Sequence, residues 1–230
     1  MGLIIKGNEA ERKNLYEQIA DSLETSILEC QEESVKLPTE NELAIKFGVS
    51  RAVIRESLNI LRDRGLIVTK VGEGTYTEKP NKEFIYKVFE RLIKVNNVSD
   101  SDVNAIRLIL ECGGARLAAE RLTPEFISSL EDNLERMKNA SDNLEERVNI
   151  DIEFHDLIAK QSGNDLLVIF IESINGLVLD YITRRLRQRP DGHSDGIMWH
   201  SKLIDLFKNG NPSEVESGMR QHLLDSFHQI

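Results

Sequence analysis

The stretch from Leu37 to Leu66, LPTENELAIKFGVSRAVIRESLNILRDRGL, constrains the fold more than any other part of the chain. Thr39 and Glu42, three residues apart, predict a capping box at the start of a short helix. Gly48 predicts the end of that helix, because glycine readily adopts the positive φ that helix ends often need. Ser50 then predicts the N-cap of a second helix. The pattern is that of two helices joined by a tight turn.

The second of these helices has two chemically different faces. Its apolar stripe is formed by Ile54, Leu58 and Leu61 at helical spacing. The other face carries basic and hydrogen-bonding side chains, namely Arg51, Arg55, Asn59 and Arg62. This combination predicts the recognition helix of a helix-turn-helix, which reads DNA in the major groove.

Two short strands, over about 66–71 and 75–77, are predicted after the helix pair, with Gly72-Glu73-Gly74 as the turn. A helix over about 14–32 precedes the pair, so the whole is interpreted as a winged helix-turn-helix with Gly74 at the tip of the wing. Residues 34–72 contain seven Lys or Arg against four acids, a balance of +3, in a chain of net charge −10. A local basic surface on an acidic protein favours a specific DNA reader.

Lys79-Pro80-Asn81 is interpreted as the linker between two domains, residues 1–80 and 81–230. Beyond it the pattern predicts helices only, over about 82–95, 100–121, 124–140, 142–162, 164–189, 195–208 and 212–229. The predicted fold class is therefore mainly α, with an N-terminal winged helix-turn-helix followed by an all-α bundle of about seven helices.

The cysteines and the hydropathy of the sequence indicate the cellular compartment. The two cysteines, Cys30 and Cys112, form no CxxC motif and predict free thiols in a reducing cytoplasm. No run approaches the roughly 20 apolar residues of a membrane span. We expect a cytoplasmic protein that does not use a membrane.

Four residues of the second domain form a candidate metal site. Asp151 and His155 are four residues apart and share one helix face. His200 and His222 lie at equal distances from the turn near Asn211, so an antiparallel helix pair would bring them to one height. An Asp and three His suit Zn²⁺, Ni²⁺, Mn²⁺ or Fe²⁺. The alternative is that each histidine is an ordinary hydrogen-bonded residue.

Arg107 and Glu111 form a further i,i+4 pair within an apolar helix. One interpretation is a structural ion pair. The other is that Arg107 binds a small carboxylate near the metal.

The helix-turn-helix stretch with its GEGTY wing resembles the GntR-type winged-helix transcription regulators. The runs IRLILECGGARLAAERL, DIEFHDLIAKQSGN and MRQHL resemble the FadR-type ligand-binding domain, the FCD class. The resemblance implies a homodimer that binds a palindromic operator through Arg51 and Arg55, and a small organic acid as effector. It also implies a divalent metal, with zinc or nickel favoured, on Asp151, His155, His200 and His222, and Arg107 as the effector contact.

The chain departs from the family pattern at four positions near the expected DNA surface. Asn41 stands where relatives usually have Arg, Ala52-Val53 where they have Thr-Pro, and Glu73 where a basic residue is frequent. Asn41 can still hydrogen-bond DNA, and Ala52 can offer a methyl contact to thymine. The predicted DNA-binding residues are therefore Arg51, Arg55, Asn41, Ala52, Asn59 and Gly74.

These observations together predict a dimeric transcription regulator controlled by a small organic acid, and not an enzyme. An alternative from another class is a helical metalloenzyme of the hydrolase type fused to a DNA anchor, since an Asp/His₃ set could activate water. A third possibility is a purely structural metal without an effector.

Overall fold

The computed structural model describes residues 14–30, 32, 34–79, 82–140, 143–188 and 192–228. Over these residues the chain forms ten helices and one antiparallel two-stranded sheet, which confirms the predicted fold class. It divides into two compact units, Met1–Phe84 and Ile85–Ile230. The predicted domain boundary was at residue 80, and Pro80 and Asn81 of the predicted linker lie outside the described residues.

Unit 1 has the element order of a winged helix-turn-helix, with three helices followed by a hairpin. Its elements are α1 (Leu15–Glu29), α2 (Glu40–Phe47), α3 (Arg51–Asp63), β1 (Ile67–Lys70) and β2 (Gly74–Thr77). The apolar stripe of α3 is buried, with Ile54 and Leu61 at 0% exposure, and it packs on α1 through Ile19 and Leu23. Leu15, at the start of α1, is half exposed.

The predicted caps of the helix-turn-helix are confirmed. The Thr39 hydroxyl accepts from the Glu42 backbone N–H, and the Glu42 carboxylate accepts from the Thr39 N–H at 2.7 Å. Gly48 ends α2 with φ +66°, in the left-handed region. The Ser50 hydroxyl accepts from the Val53 N–H and begins α3. These local bonds satisfy helix-end N–H groups that have no partner inside the helix.

The wing differs from its prediction by one residue. β1 pairs antiparallel with β2 in a register that joins Ile67 to Thr77 and Lys70 to Gly74. The turn is therefore Val71–Glu73, and Gly74 is the first residue of β2 instead of the wing tip. The segment before α2 adds to the same sheet edge, since the Leu37 N–H donates to the Thr75 carbonyl at 2.8 Å.

Unit 2 is a bundle of seven helices over its described residues, as predicted, and the first helix begins three residues before the boundary at Ile85. They are α4 (Lys82–Asn96), α5 (Asp100–Ala119), α6 (Pro124–Asn139), α7 (Leu144–Gln161), α8 (Asp165–Gln188), α9 (Gly192–Asn209) and α10 (Pro212–His228). Its main core is shared by α5, α6, α7, α9 and α10, with Leu130, Phe154, Leu203 and Phe207 at 0% exposure. This packing brings the inward faces of α5, α7, α9 and α10 together.

The helices can also be compared with the length and hydropathy that a membrane span requires. Among the described residues, no helix is both long enough and apolar enough to cross a bilayer.

Candidate metal centre and DNA-reading surface

The predicted DNA contacts on α2 and α3 lie on the outside of unit 1. Asn41, Arg51, Ala52 and Arg55 are all exposed. Glu40, at the start of α2, accepts from Arg55 through both carboxylate oxygens, at 2.9 and 3.3 Å. The hydrogen bond from Arg55 lowers the pKa of Glu40, and the charges of both arginines add to this effect. Glu40 thus holds the guanidinium of Arg55, a contact that the sequence pattern does not predict.

Asn59 and Gly74 both have close neighbours within unit 1. The Asn59 carboxamide oxygen accepts from Arg62 at 2.7 Å, and Arg62 also donates to the Thr69 hydroxyl of β1 at 3.1 Å. A Cβ on Gly74, where φ is +122°, would lie 2.9 Å from Cε of Lys36. Within the described structure, Asn59 therefore ties α3 to the wing through Arg62, and Gly74 lets Lys36 lie across it. Their contacts to DNA stay predictions.

The structure brings three predicted metal ligands to one buried place in unit 2. His155 comes from α7, His200 from α9 and His222 from α10, with exposures of 3%, 0% and 3%. One ring nitrogen of each lies within 4.8 Å of the others. The rings also pack on aromatic neighbours: His200 stacks on Phe154 at 3.8 Å, and Trp199 lies 6.0 Å from His222, measured between ring centres.

The spacing of these nitrogens fits a metal ion. Nε2 of His155 and Nε2 of His222 are 3.2 Å apart. Two nitrogens bound to one Zn²⁺ at about 2.0–2.1 Å would be roughly 2.9–3.4 Å apart for ordinary coordination angles. Three buried imidazoles are also a donor set that zinc and nickel prefer. The residues present therefore fit a divalent metal.

Asp151 takes a different place from the three histidines. It is on α7, one turn before His155, and 8% of its surface is exposed. Its Oδ1 lies 3.4 Å from Nε2 of His200. It is not one of the group whose ligand atoms all lie within 4.8 Å of one another. The Asp151 carboxylate thus lies beside the histidine cluster, and His200 is the histidine that it approaches.

Arg107, the predicted effector contact, belongs to a buried chain of charges that ends at the metal cluster. Its Nε lies 2.5 Å from Oε1 of Glu111, so the predicted ion pair is formed. The other oxygen of Glu111 lies 2.5 Å from Nδ1 of His155. Exposures of 6% for Arg107 and 3% for Glu111 place both inside the bundle. A role for Arg107 toward an effector stays a prediction.

The contact of Glu111 with His155 is the feature of the candidate site that sequence reasoning missed. Burial alone would raise the pKa of Glu111, but the charges of Arg107 and His155, together with their hydrogen bonds, lower it to about 2. An ionised carboxylate at Nδ1 favours the tautomer whose Nε2 is available as a ligand. The only signal in the sequence was its i,i+4 spacing to Arg107, which says nothing of His155 on another helix.

Comparison with protein families gives two matches along the chain. A model described as "Bacterial regulatory proteins, gntR family" matches residues 15–77, and a model described as "FCD domain" matches residues 102–225. The first match spans α1 to the wing. The second spans the helices that supply Arg107, Glu111 and all three clustered histidines.

Individual proteins show the same likeness over nearly the full length. The "HTH-type transcriptional regulator LutR" of Bacillus subtilis is 29% identical over 192 residues, 82% of this chain and 88% of that protein. The "HTH-type transcriptional repressor NanR" of Escherichia coli is 25% identical over 228 residues, 97% of this chain and 87% of that protein. The solved structure of Streptococcus agalactiae GntR is 30% identical with a TM-score of 0.70, and the match covers 92% of this chain and 98% of that one.

Proposed function

We propose that a small molecule controls this chain, which belongs to the GntR family of bacterial transcription regulators and carries an FCD domain. The chain is a DNA-binding transcription regulator and not an enzyme, in line with its relatives. In our proposal a small organic acid binds beside the histidine cluster of unit 2 and changes the operator affinity of unit 1. The observation that supports this most is the buried cluster of three histidines joined to Arg107 through Glu111.

The side chains of the cluster would hold a divalent ion, and we favour zinc or nickel over manganese or iron(II) because the donors are mainly imidazole nitrogens. We assign His155, His200, His222 and Asp151 as ligands. When bound, such an ion supplies a fixed positive centre that attracts a carboxylate. Glu111 fixes the ring of His155 through Nδ1, so that Nε2 points to the shared centre.

Arg107 supplies the second positive group of the proposed acid site. A guanidinium has five N–H donors, and the contact to Glu111 uses the one on Nε. We assign the Nη groups of Arg107 to the carboxylate of the acid, because a guanidinium matches a carboxylate bidentately. Burial of the site raises the strength of this interaction, since water does not screen it.

The proposed output is a change in operator affinity. We propose that two copies form a homodimer that reads a palindromic operator, with Arg51 and Arg55 of each copy at the bases. An acid changes DNA affinity only by binding more tightly to one arrangement of the dimer than to the other. A regulator of this kind works where the DNA is, so a cytoplasmic location is part of the proposal.

Metal content gives the first test. Elemental analysis should find a stoichiometric divalent metal in the native protein and none in the double variant His200→Ala/His222→Ala, with helix content kept in circular dichroism. His193→Ala serves as the control, because it removes another histidine of α9 that is not among the assigned ligands. An unchanged metal content in the double variant would show that the assigned residues are not the metal ligands.

A thermal-shift screen of small carboxylic acids gives the second test. We expect at least one acid to raise the melting temperature of the metal-loaded protein, and Arg107→Gln to reduce that shift. The same acid should change operator affinity in fluorescence anisotropy. If removing the metal unfolds unit 2 and no acid raises the melting temperature, the metal is structural and the proposed control of DNA binding is wrong.

A further inference from the structure

An acidic side chain lies on the predicted DNA-reading surface of unit 1. Glu40, the first residue of α2, lies against Arg51 and Arg55 of α3, and its side chain is 32% exposed. A carboxylate near DNA repels the phosphates, so its charge opposes the binding of any duplex. An acid in the first turn of a helix stabilises that helix, but this effect does not require a contact with α3. The contact with the arginines therefore points to a role in the work of α3.

The contact occupies one edge of the Arg55 guanidinium. Oε1 of Glu40 accepts from Nε of Arg55 at 3.3 Å, and Oε2 accepts from Nη2 at 2.9 Å. Of the five N–H groups of a guanidinium, this contact leaves one on Nη2 and both on Nη1. Two parallel N–H groups of this kind form the fork that matches O6 and N7 of guanine. Glu40 thus binds the side edge of the guanidinium and leaves the end edge for a base.

A guanidinium that is already held reads a base at lower cost. The Arg55 side chain is 58% exposed, and a long exposed side chain loses rotamer freedom when it binds. Two hydrogen bonds join it to the start of α2, where the capping box of Thr39 and Glu42 fixes the backbone. Arg51 has a longer contact, with 3.8 Å between its Nη2 and Oε2 of Glu40. Arg55 is therefore the arginine that Glu40 orients.

We propose that Glu40 is a positioning residue that makes Arg55 select guanine, because it holds the guanidinium with the Nη1–Nη2 edge free for O6 and N7 of the base. The proposal rests on the proposed place of Arg55 at the bases, and it names the base that Arg55 reads. The charge of Glu40 weakens binding to every duplex, whereas the orientation of Arg55 strengthens binding to one sequence. Glu40 therefore increases the specificity of DNA binding more than its affinity.

The ratio of specific to non-specific affinity tests this role. The full wild-type chain first selects a site from a pool of randomised duplexes, and fluorescence anisotropy then compares that site with a scrambled duplex of the same composition. Glu40→Gln should lower the ratio roughly 5- to 150-fold, the value of one bidentate base contact. Its binding to the scrambled duplex should stay equal or become tighter, because non-specific binding depends on charge.

The next acid along the chain supplies a matched control. Glu56 is exposed and follows Arg55 directly on α3. Glu56→Gln removes the same charge from the same surface, so it should tighten binding to both duplexes by similar factors and keep the ratio. A carboxylate that acts only by repelling phosphates would give the same result at both positions.

Replacement of single guanines by 7-deazaguanine in the selected site identifies the base. This analogue has a C–H group where guanine has N7, so it removes one acceptor of the fork. At one guanine the replacement should weaken binding of the wild-type protein, and it should change binding of Arg55→Ala and Glu40→Gln much less. Adding Glu40→Gln to Arg55→Ala should not lower the ratio further, because the side chain that Glu40 orients is then absent.

The role of Arg55 and the role of Glu40 can fail separately. If Arg55→Ala keeps the wild-type ratio, or if the wild-type protein enriches no sequence, the place of Arg55 at the bases is wrong and Glu40 has nothing to position. If Arg55→Ala lowers the ratio but Glu40→Gln lowers it no more than Glu56→Gln does, the positioning role is wrong and the place of Arg55 stands. A loss in Glu40→Gln that persists unchanged in the Arg55→Ala background would also refute the positioning role.

Discussion

Replacing Glu111 by glutamine is the sharpest test of the charge network next to the histidine cluster. The substitution keeps the shape of the side chain and removes its charge. It leaves the guanidinium of Arg107, which is 6% exposed, without the carboxylate that now lies 2.5 Å from its Nε. A buried charge that has lost its partner is costly, so we expect the metal-free protein to lose stability at neutral pH.

Two separate estimates give the size of that loss. Removing one partner of a buried ion pair costs roughly 3–5 kcal/mol. Lowering the pKa of Glu111 from 4.5 to about 2 corresponds to roughly 3 kcal/mol at about 1.4 kcal/mol per unit. Because the pKa is lower in the folded protein, this stabilisation is present above pH 4.5 and is lost as the pH falls toward 2. We therefore expect Glu111→Gln to lower the free energy of unfolding by about 3 kcal/mol at pH 7.

Urea unfolding followed by tryptophan fluorescence measures this loss in unit 2. Trp199 is the single tryptophan, is 7% exposed, and lies on α9 beside His222. The measurement is made with a chelator present, so that metal binding does not contribute. The double variant Arg107→Met/Glu111→Gln removes both charges and should recover most of the lost stability.

The same helix supplies a matched control for this measurement. Arg116 on α5 and Glu120, the C-cap of α5, are also an i,i+4 pair, but they are about half exposed and 3.7 Å apart. Glu120→Gln should cost less than about 1 kcal/mol, as exposed ion pairs do. Equal effects of Glu111→Gln and Glu120→Gln would refute the reasoning, because burial would then make no difference to the pair.

Three further outcomes are expected. Arg51→Ala should weaken operator binding by roughly 1–3 kcal/mol if the side chain reads a base, and unchanged affinity in fluorescence anisotropy would exclude that role. Adding nickel to metal-free protein should change the fluorescence of Trp199, and the change should be lost in His222→Ala. Burial raises the pKa of the Cys112 thiol to about 11, so only about one thiol in a thousand is ionised at pH 8. A chromogenic thiol reagent at pH 8 should therefore titrate Cys112 only after unfolding, and rapid reaction of a second thiol besides Cys30 in the native protein would contradict this.

Sequence reasoning succeeded where structure depends on near neighbours along the chain. The capping box of Thr39 and Glu42, the left-handed Gly48 and the cap at Ser50 were all predicted, because each depends on residues within one helical turn. The buried stripe of α3 followed from helical spacing in the same way. The placement of His200 and His222 near each other rested on the symmetry of one helix pair about its turn, which is also a short-range property.

It failed where contacts join distant segments. The contact of Glu111 with His155 joins α5 to α7, and the sequence contains no periodicity that relates the two positions. The wing turn was misplaced by one residue because Gly72 and Gly74 both adopt positive φ, so the glycine pattern alone does not say which one begins the strand. The strand register, fixed by the pairing of Lys70 with Gly74, decides it.

One helix connects the proposed acid site with the outer surface of unit 2. Glu111 is on the buried side of α5, in contact with His155, while Ile109 and Gly113 lie two positions away on its outer side. Typical coupling between two sites is about 1–3 kcal/mol, a factor of roughly 5–150 in affinity. Because such coupling is reciprocal, an acid that changes the operator affinity by some factor must itself bind the free and the DNA-bound protein with affinities that differ by the same factor. Equal acid affinities with and without operator would therefore contradict the proposed control of DNA binding.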